Sequence, residues 1–169
     1  MTNRPSARIV GAICASCIFF VFFFAGVMYL SKLGFVGNSD HPWRASLSCD
    51  VSGIILKSTE ITSIPVHIEN LGTETIESTS SENAVFLSFH LLTHEENDMR
   101  YDNDRYAIPE PIRKNQQKTV AAVLDNTKMK LRPGNYIVEF DLVKEGKFWF
   151  SEKENKTLKI PMTVYGGTE

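Results

Sequence analysis

Cysteine is scarce, three in 169 residues, and two of them, Cys14 and Cys17, lie inside one apolar run. Cys49 therefore has no partner in the rest of the chain, which excludes a disulfide scaffold and leaves packing alone to hold a core. Cys14-Ala-Ser-Cys17 has redox-motif spacing, but a thiol placed in lipid has neither solvent nor a helix N-terminus to stabilise its thiolate. Charge is missing altogether from Ile9 to Leu30. Basic excess is missing from the remainder: residues 45–169 carry 14 Lys and Arg against 19 acids, a net of −5, whereas residues 1–44 carry four against one, a net of +3. The acidic balance argues against binding a phosphate backbone, so no nucleic-acid partner is expected. Room is short as well. About 120 residues follow the apolar run, enough for one core and too few for a multidomain enzyme.

The uncharged run of 22 residues, 9–30, makes a helix of about 33 Å, close to the ~30 Å hydrocarbon thickness of a bilayer. It is too long for a secretory signal, and Ser31-Lys32-Leu33-Gly34-Phe35 offers no small-residue cleavage site after it. A lipoprotein signal fails too, because Phe19–Phe24 and Val27–Leu30 continue the run past both thiols. An uncleaved signal anchor is the expectation. Arg4, Arg8 and the α-amino group precede it and Lys32 follows it, so residues 1–8 are placed in the cytoplasm and the later chain outside. Residues 31–44, with Gly34, Gly37, Asn38, Ser39 and Pro42, read as a polar linker.

Beyond residue 44 no segment carries a 3.6-residue stripe, and the period becomes two. Ala45, Leu47, Cys49 and Val51 alternate with polar residues, as do Ile64, Val66 and Ile68. Val85–Leu92, Thr119–Leu124, Tyr136–Val143 and Leu158–Val164 follow, separated by turn-rich stretches such as Asn70-Leu-Gly72 and Arg132-Pro-Gly134-Asn135. The spacing predicts an all-β domain over 45–165 with a short tail, 166–169. The expected architecture is an immunoglobulin-like antiparallel β-sandwich of about seven strands behind one transmembrane helix. Tyr136, Val138, Phe140 and Leu142 form one face of their strand and are assigned to the core. Ile137, Glu139, Asp141 and Val143 form the other, expected to be partly solvated. Tyr136 stands where a tyrosine corner would return its hydroxyl to a loop carbonyl.

Four blocks appear in order: Val85-Phe-Leu-Ser-Phe-His-Leu-Leu92, Asp104-Arg-Tyr-Ala-Ile-Pro109, Arg132-Pro-Gly-Asn-Tyr136 and Asp141-Leu-Val-Lys-Glu-Gly-Lys-Phe-Trp-Phe150. Over roughly residues 64–165 the chain resembles an immunoglobulin-like accessory domain that accompanies bacterial glycosyltransferases and other cell-envelope polysaccharide proteins. The resemblance implies a non-catalytic extracytoplasmic sandwich linked to glycan assembly or export. Because the domain stands alone behind an anchor, it implies a small subunit in the bacterial inner membrane, its head periplasmic. The partner would be a membrane glycosyltransferase or polysaccharide transporter. Two alternatives stay open: a carbohydrate-binding module that holds the glycan itself, and a hydrolase or transferase using Asp102, Asp104 or Glu145.

Phe148, Trp149 and Phe150 are candidates for a sugar-stacking surface with Tyr101, Arg105 and Tyr106, although alternation forbids all three of the triplet from facing one way and a core role competes. His90, Arg105, Asp141 and Glu145 are the polar residues of the matching blocks that most need explaining. A structural hydrogen-bonded network is expected for them, since a buried charge must be paired. Asp98, Asp102 and Asp104, after Glu95 and Glu96, make an acidic loop that lacks the central glycine of a calcium loop. In a strand His90 and His94 would lie ~13 Å apart, too far to share a metal. Ser88 has no nucleophile-elbow context, no Gly-rich phosphate loop occurs, and Asn155-Lys-Thr157 is a formal glycosylation sequon. No cofactor, metal or catalytic residue is assigned.

Overall fold

The computed structural model describes residues 41–78, 81–100 and 103–166. The expected cytoplasmic segment 1–8, the membrane helix 9–30, linker residues 31–40, Tyr101, Asp102 and tail residues 167–169 lie outside the described residues. Among the described residues no helix is long and apolar enough to cross a membrane.

The rest is β structure in two sheets. In chain order the strands are β1 (Ala45–Ser48), β2 (Ile54–Lys57), β3 (Ile61–Asn70), β4 (Val85–Thr93), β5 (Asp98–Arg100), β6 (Tyr106–Ala107), β7 (Gln117–Asp125), β8 (Gly134–Lys144), β9 (Phe148–Trp149) and β10 (Leu158–Tyr165). A short helix, α1 (Asn126–Met129), and a 3-10 turn over Phe150–Lys153 interrupt them. One sheet has the order β1-β3-β7, the other β2-β10-β8-β4-β5 with β6 on β4 and β9 on β8. Seven of the described strands have four residues or more, and their order is that of an immunoglobulin-type sandwich, with the first strand divided between the sheets.

That division is the main departure from the sequence expectation. The alternation from Ala45 to Val51 suggests one strand, yet β1 stops at Ser48, and the chain crosses at residues 49–53 to begin β2 in the other sheet. There β2 pairs with β10 in parallel, Ile54 opposite Met162, so the sandwich is not wholly antiparallel. The stagger explains two prolines. Pro65 in β3 lies past the last β1 pairing, Ser48 with His67, and Pro161 in β10 lies just before the first β2 pairing. On those edges no neighbour asks for the missing N–H.

Between the sheets the period-two faces meet. Val66, Ile68, Leu87, Phe89, Val138 and Phe140 are among the buried side chains of a single core, and the assignment of Val138, Phe140 and Leu142 to the inner face of β8 holds. Tyr136 donates its hydroxyl to the Arg132 carbonyl at 2.9 Å, the expected corner. Asp125 caps α1 by accepting from Thr127 N at 2.9 Å, and buried Asn126 accepts from Leu131 N and donates to the Lys57 carbonyl.

The folded unit starts at His41 rather than after Arg44. Leu71 N donates to the Arg44 carbonyl at 2.9 Å and Glu74 N to the Pro42 carbonyl at 3.0 Å. Asn155, known from sequence only as a sequon, accepts from Ala45 N at 2.8 Å and donates to the carbonyls of Trp43 and Phe150 at 2.8 and 2.9 Å. Its amide fastens the incoming chain to the far side of the β8–β10 connection, and a glycan on that nitrogen would break the fastening.

Candidate functional site

Two of the four blocks converge at the end of the sandwich where the chain comes in. The β4–β8 register sets Ser88 opposite Asp141 and His90 opposite Glu139. After Lys144 a three-residue loop with Gly146 at φ +69° turns the chain back, and Lys147 N closes it onto the Lys144 carbonyl at 2.9 Å. The returning β9 pairs Trp149 with Val143 and Phe148 with Lys144.

Alternation then splits the aromatic triplet. Trp149 lies on the outer face of β8, its ring 4.5 Å from His90 and 5.0 Å beneath the Arg105 guanidinium. Phe148 and Phe150 face the other way and meet Trp43, with ring centroids 5.7 and 6.2 Å away. Phe150 is 1% exposed and Trp149 9% exposed. As a stacking surface the triplet is therefore corrected: two of its rings are closed in, and only Phe148 is half open, with Lys153 Nζ 5.2 Å from its centroid. Tyr106 is half-buried. Its ring stacks on Phe89, and its hydroxyl donates to the Val123 carbonyl at 2.5 Å. Burial holds that phenol well above its ordinary pKa, with the Asp104 charge adding to the effect.

The four polar candidates share one neighbourhood. Arg105 Nε donates to Glu145 at 3.0 Å, while the guanidinium also reaches Ser88 Oγ at 3.1 Å and the Asn103 carbonyl at 2.8 Å. Ser88 donates in turn to the Asp104 carbonyl at 2.9 Å. Asp141, 2% exposed, accepts from Leu142 N at 2.7 Å and Ser151 N at 3.2 Å. Burial raises its pKa despite the hydrogen bonds from Ser151 and Leu142 and the nearby His90, all of which favour the carboxylate. The outer face of β8 is thus not solvated at Asp141 and Val143, contrary to the pattern reading, because β9 and the 3-10 turn fold back over it.

Other candidates stay apart. His94 is exposed beyond β4 while His90 is buried, and Asp104 is exposed. Among the described residues no group of three or more His, Cys, Asp or Glu is placed to hold a metal ion.

Around the β8–β9 hairpin the surface dips into a shallow groove of about 300 Å³ lined by Arg105, Lys144, Glu145, Lys147, Phe148 and Trp149 among others. Lys144 is the residue that sequence reasoning passed over. It is 7% exposed, its Nζ lies 3.9 Å from the Trp43 ring centroid, and burial, helped by the Lys147 charge, lowers its pKa. Trp43 was hidden by linker-like neighbours. For Lys144 the signal was its place at the strand end in the most specific block, one residue before the turn.

No family model matches the chain, and no curated protein matches it. Solved structures do. A CARDB domain of Pyrococcus furiosus, crystallised with di-metal ions, is 10% identical over 72% of this chain and 86% of that one, with a TM-score of 0.44. A β-glucosidase from Listeria innocua is 13% identical over 73% of this chain and 16% of its own, with a TM-score of 0.47. A PapD-like domain of human CEP192 is 13% identical over 79% and 92%, with a TM-score of 0.38. At such values these likenesses bear on neither ligand nor activity.

Proposed function

We propose that the chain is a membrane-anchored, non-catalytic accessory subunit of a bacterial cell-envelope polysaccharide synthesis or export system, presenting its sandwich outside the cytoplasm as a binding head. One observation carries this reading. The block around Arg105 and the block Asp141–Phe150, the latter the most specific part of the family resemblance, are distant in sequence and come together on one groove at the surface. The Arg105–Glu145 pair stands partly open there, within reach of a ligand. Ser88, His90 and Asp141 are buried, His90 against the Trp149 ring and the other two hydrogen-bonded to backbone, while the exposed Glu145 is held by Arg105. That placement supports binding over turnover.

Co-purification tests the reading. Full-length tagged chain, extracted from its native membranes in mild detergent, is expected to bring down a glycosyltransferase or polysaccharide transporter. The Arg105→Ala chain is expected to bring down several-fold less. Recovery of no envelope polysaccharide protein by the unaltered chain would overturn the proposal.

A further inference from the structure

Of the three cations lining the groove, Arg105 is paired with Glu145. The other two are not neutralised. Lys147 Nζ donates to Asn83 Oδ1 at 2.8 Å, an uncharged acceptor. Lys144 has no described carboxylate within ion-pair distance, and its one close partner is the face of Trp43. A lysine more than nine-tenths buried, with no acid beside it and a second lysine nearby, carries a desolvation cost that a ring face offsets only in part. Glu74 and Glu77 act on it from a distance, in the opposite sense to Lys147. Glu145 is engaged with Arg105, and Glu152 accepts from Trp149 N at 3.3 Å. The groove thus carries one cation in excess of its two carboxylates, Glu145 and Glu152, and lies at the lower end of the usual size range for ligand pockets, roomy enough for about one sugar residue.

We propose that this groove binds an acidic substituent of a glycan, a carboxylate or phosphate held between Lys144 and Lys147, with its sugar ring against the half-open Phe148. The inference rests on the function proposed above and adds the class of glycan. A phosphate-backbone polymer fits less well, because the head as a whole carries the net of −5 counted over residues 45–169.

Both tryptophans of the chain flank the site, Trp43 against Lys144 and Trp149 in the lining, so intrinsic fluorescence of the full chain in detergent reports on it. The probes are trigalacturonate, glucose 1-phosphate, neutral maltotriose and inorganic phosphate. A saturable change is expected with trigalacturonate or glucose 1-phosphate, the two arms telling carboxylate from phosphate, and none with maltotriose. Lys144→Met and Lys147→Met should each weaken that binding at least tenfold. Neither should lower the thermal midpoint: at 144 methionine keeps the stem and removes a buried charge, and Lys147 is exposed. Binding of the acidic sugars that ignores both substitutions, or no saturable change with either sugar, would overturn the inference. Maltotriose binding insensitive to Lys144→Met would overturn it while leaving the accessory role standing. A response to inorganic phosphate alone would overturn both the acidic-glycan inference and the glycan link on which it rests.

Discussion

Replacing Phe150 by alanine is expected to lower the unfolding free energy of the head by about 4 kcal/mol. Phe150 opens the 3-10 turn after β9 and is 1% exposed. Its ring lies 6.2 Å from that of Trp43 and 5.8 Å from that of Phe148, so these three close one end of the core. Truncation removes the ring and leaves a cavity that this end cannot collapse to fill. Asn155 holds the Phe150 carbonyl, Trp43 and the start of β1 in place. Urea unfolding of the full chain in detergent, followed by tryptophan fluorescence, measures the loss. A change under about 1 kcal/mol would place the ring at the surface and restore the aromatic triplet as a ligand platform.

Gly72→Ala is expected to cost about 3 kcal/mol, although glycine and alanine differ by a single methyl group. The reason is contact rather than backbone freedom. A Cβ built on Gly72 would stand 2.3 Å from the Pro42 carbonyl oxygen and 2.7 Å from Arg44 N, both backbone atoms of the incoming chain. Neither can rotate away. The loop would have to release Leu71 N from the Arg44 carbonyl and Glu74 N from that of Pro42. Buried Asn70, which accepts from Gly72 N and donates to the carbonyls of Glu74 and Ile112, would be disturbed with them. The same unfolding measurement checks this, and limited proteolysis should show new cleavage near residues 41–44. An unchanged midpoint with no new cleavage would mean that the incoming segment does not pack on this loop.

The long strands were legible because each carries one continuous apolar face. β4, β8 and β10 keep period two for eight residues or more, and burial follows it on the core side. β2 was not legible: four residues give too short an alternation, and Ile55, 74% exposed, looks in sequence like a core residue. The outer face of β8 was misjudged for a different reason. Period two describes a strand and its two faces, but it does not say that the chain will return after Gly146 to cover Asp141 and Val143. Gathering His90, Arg105, Asp141 and Glu145 into one set came from asking which polar residues sat in apolar strands, and the β4–β8 register together with the Arg105 guanidinium brings them side by side. Trp43, Lys144 and Asn155 escaped because their roles are contacts across more than 100 residues of chain, or across a sheet edge, which local composition does not encode.

Everything proposed for the groove requires the sandwich to be displayed beyond the membrane. Ser52, exposed in the crossover between β1 and β2, offers a position for a thiol in a chain whose Cys49 is replaced by serine. With Ser52→Cys in that background, a membrane-impermeant maleimide added to intact spheroplasts should label the protein to the same extent as after lysis, and should leave the serine-only parent unlabelled. Labelling that appears only once the membrane is opened would put the head in the cytoplasm and contradict the account.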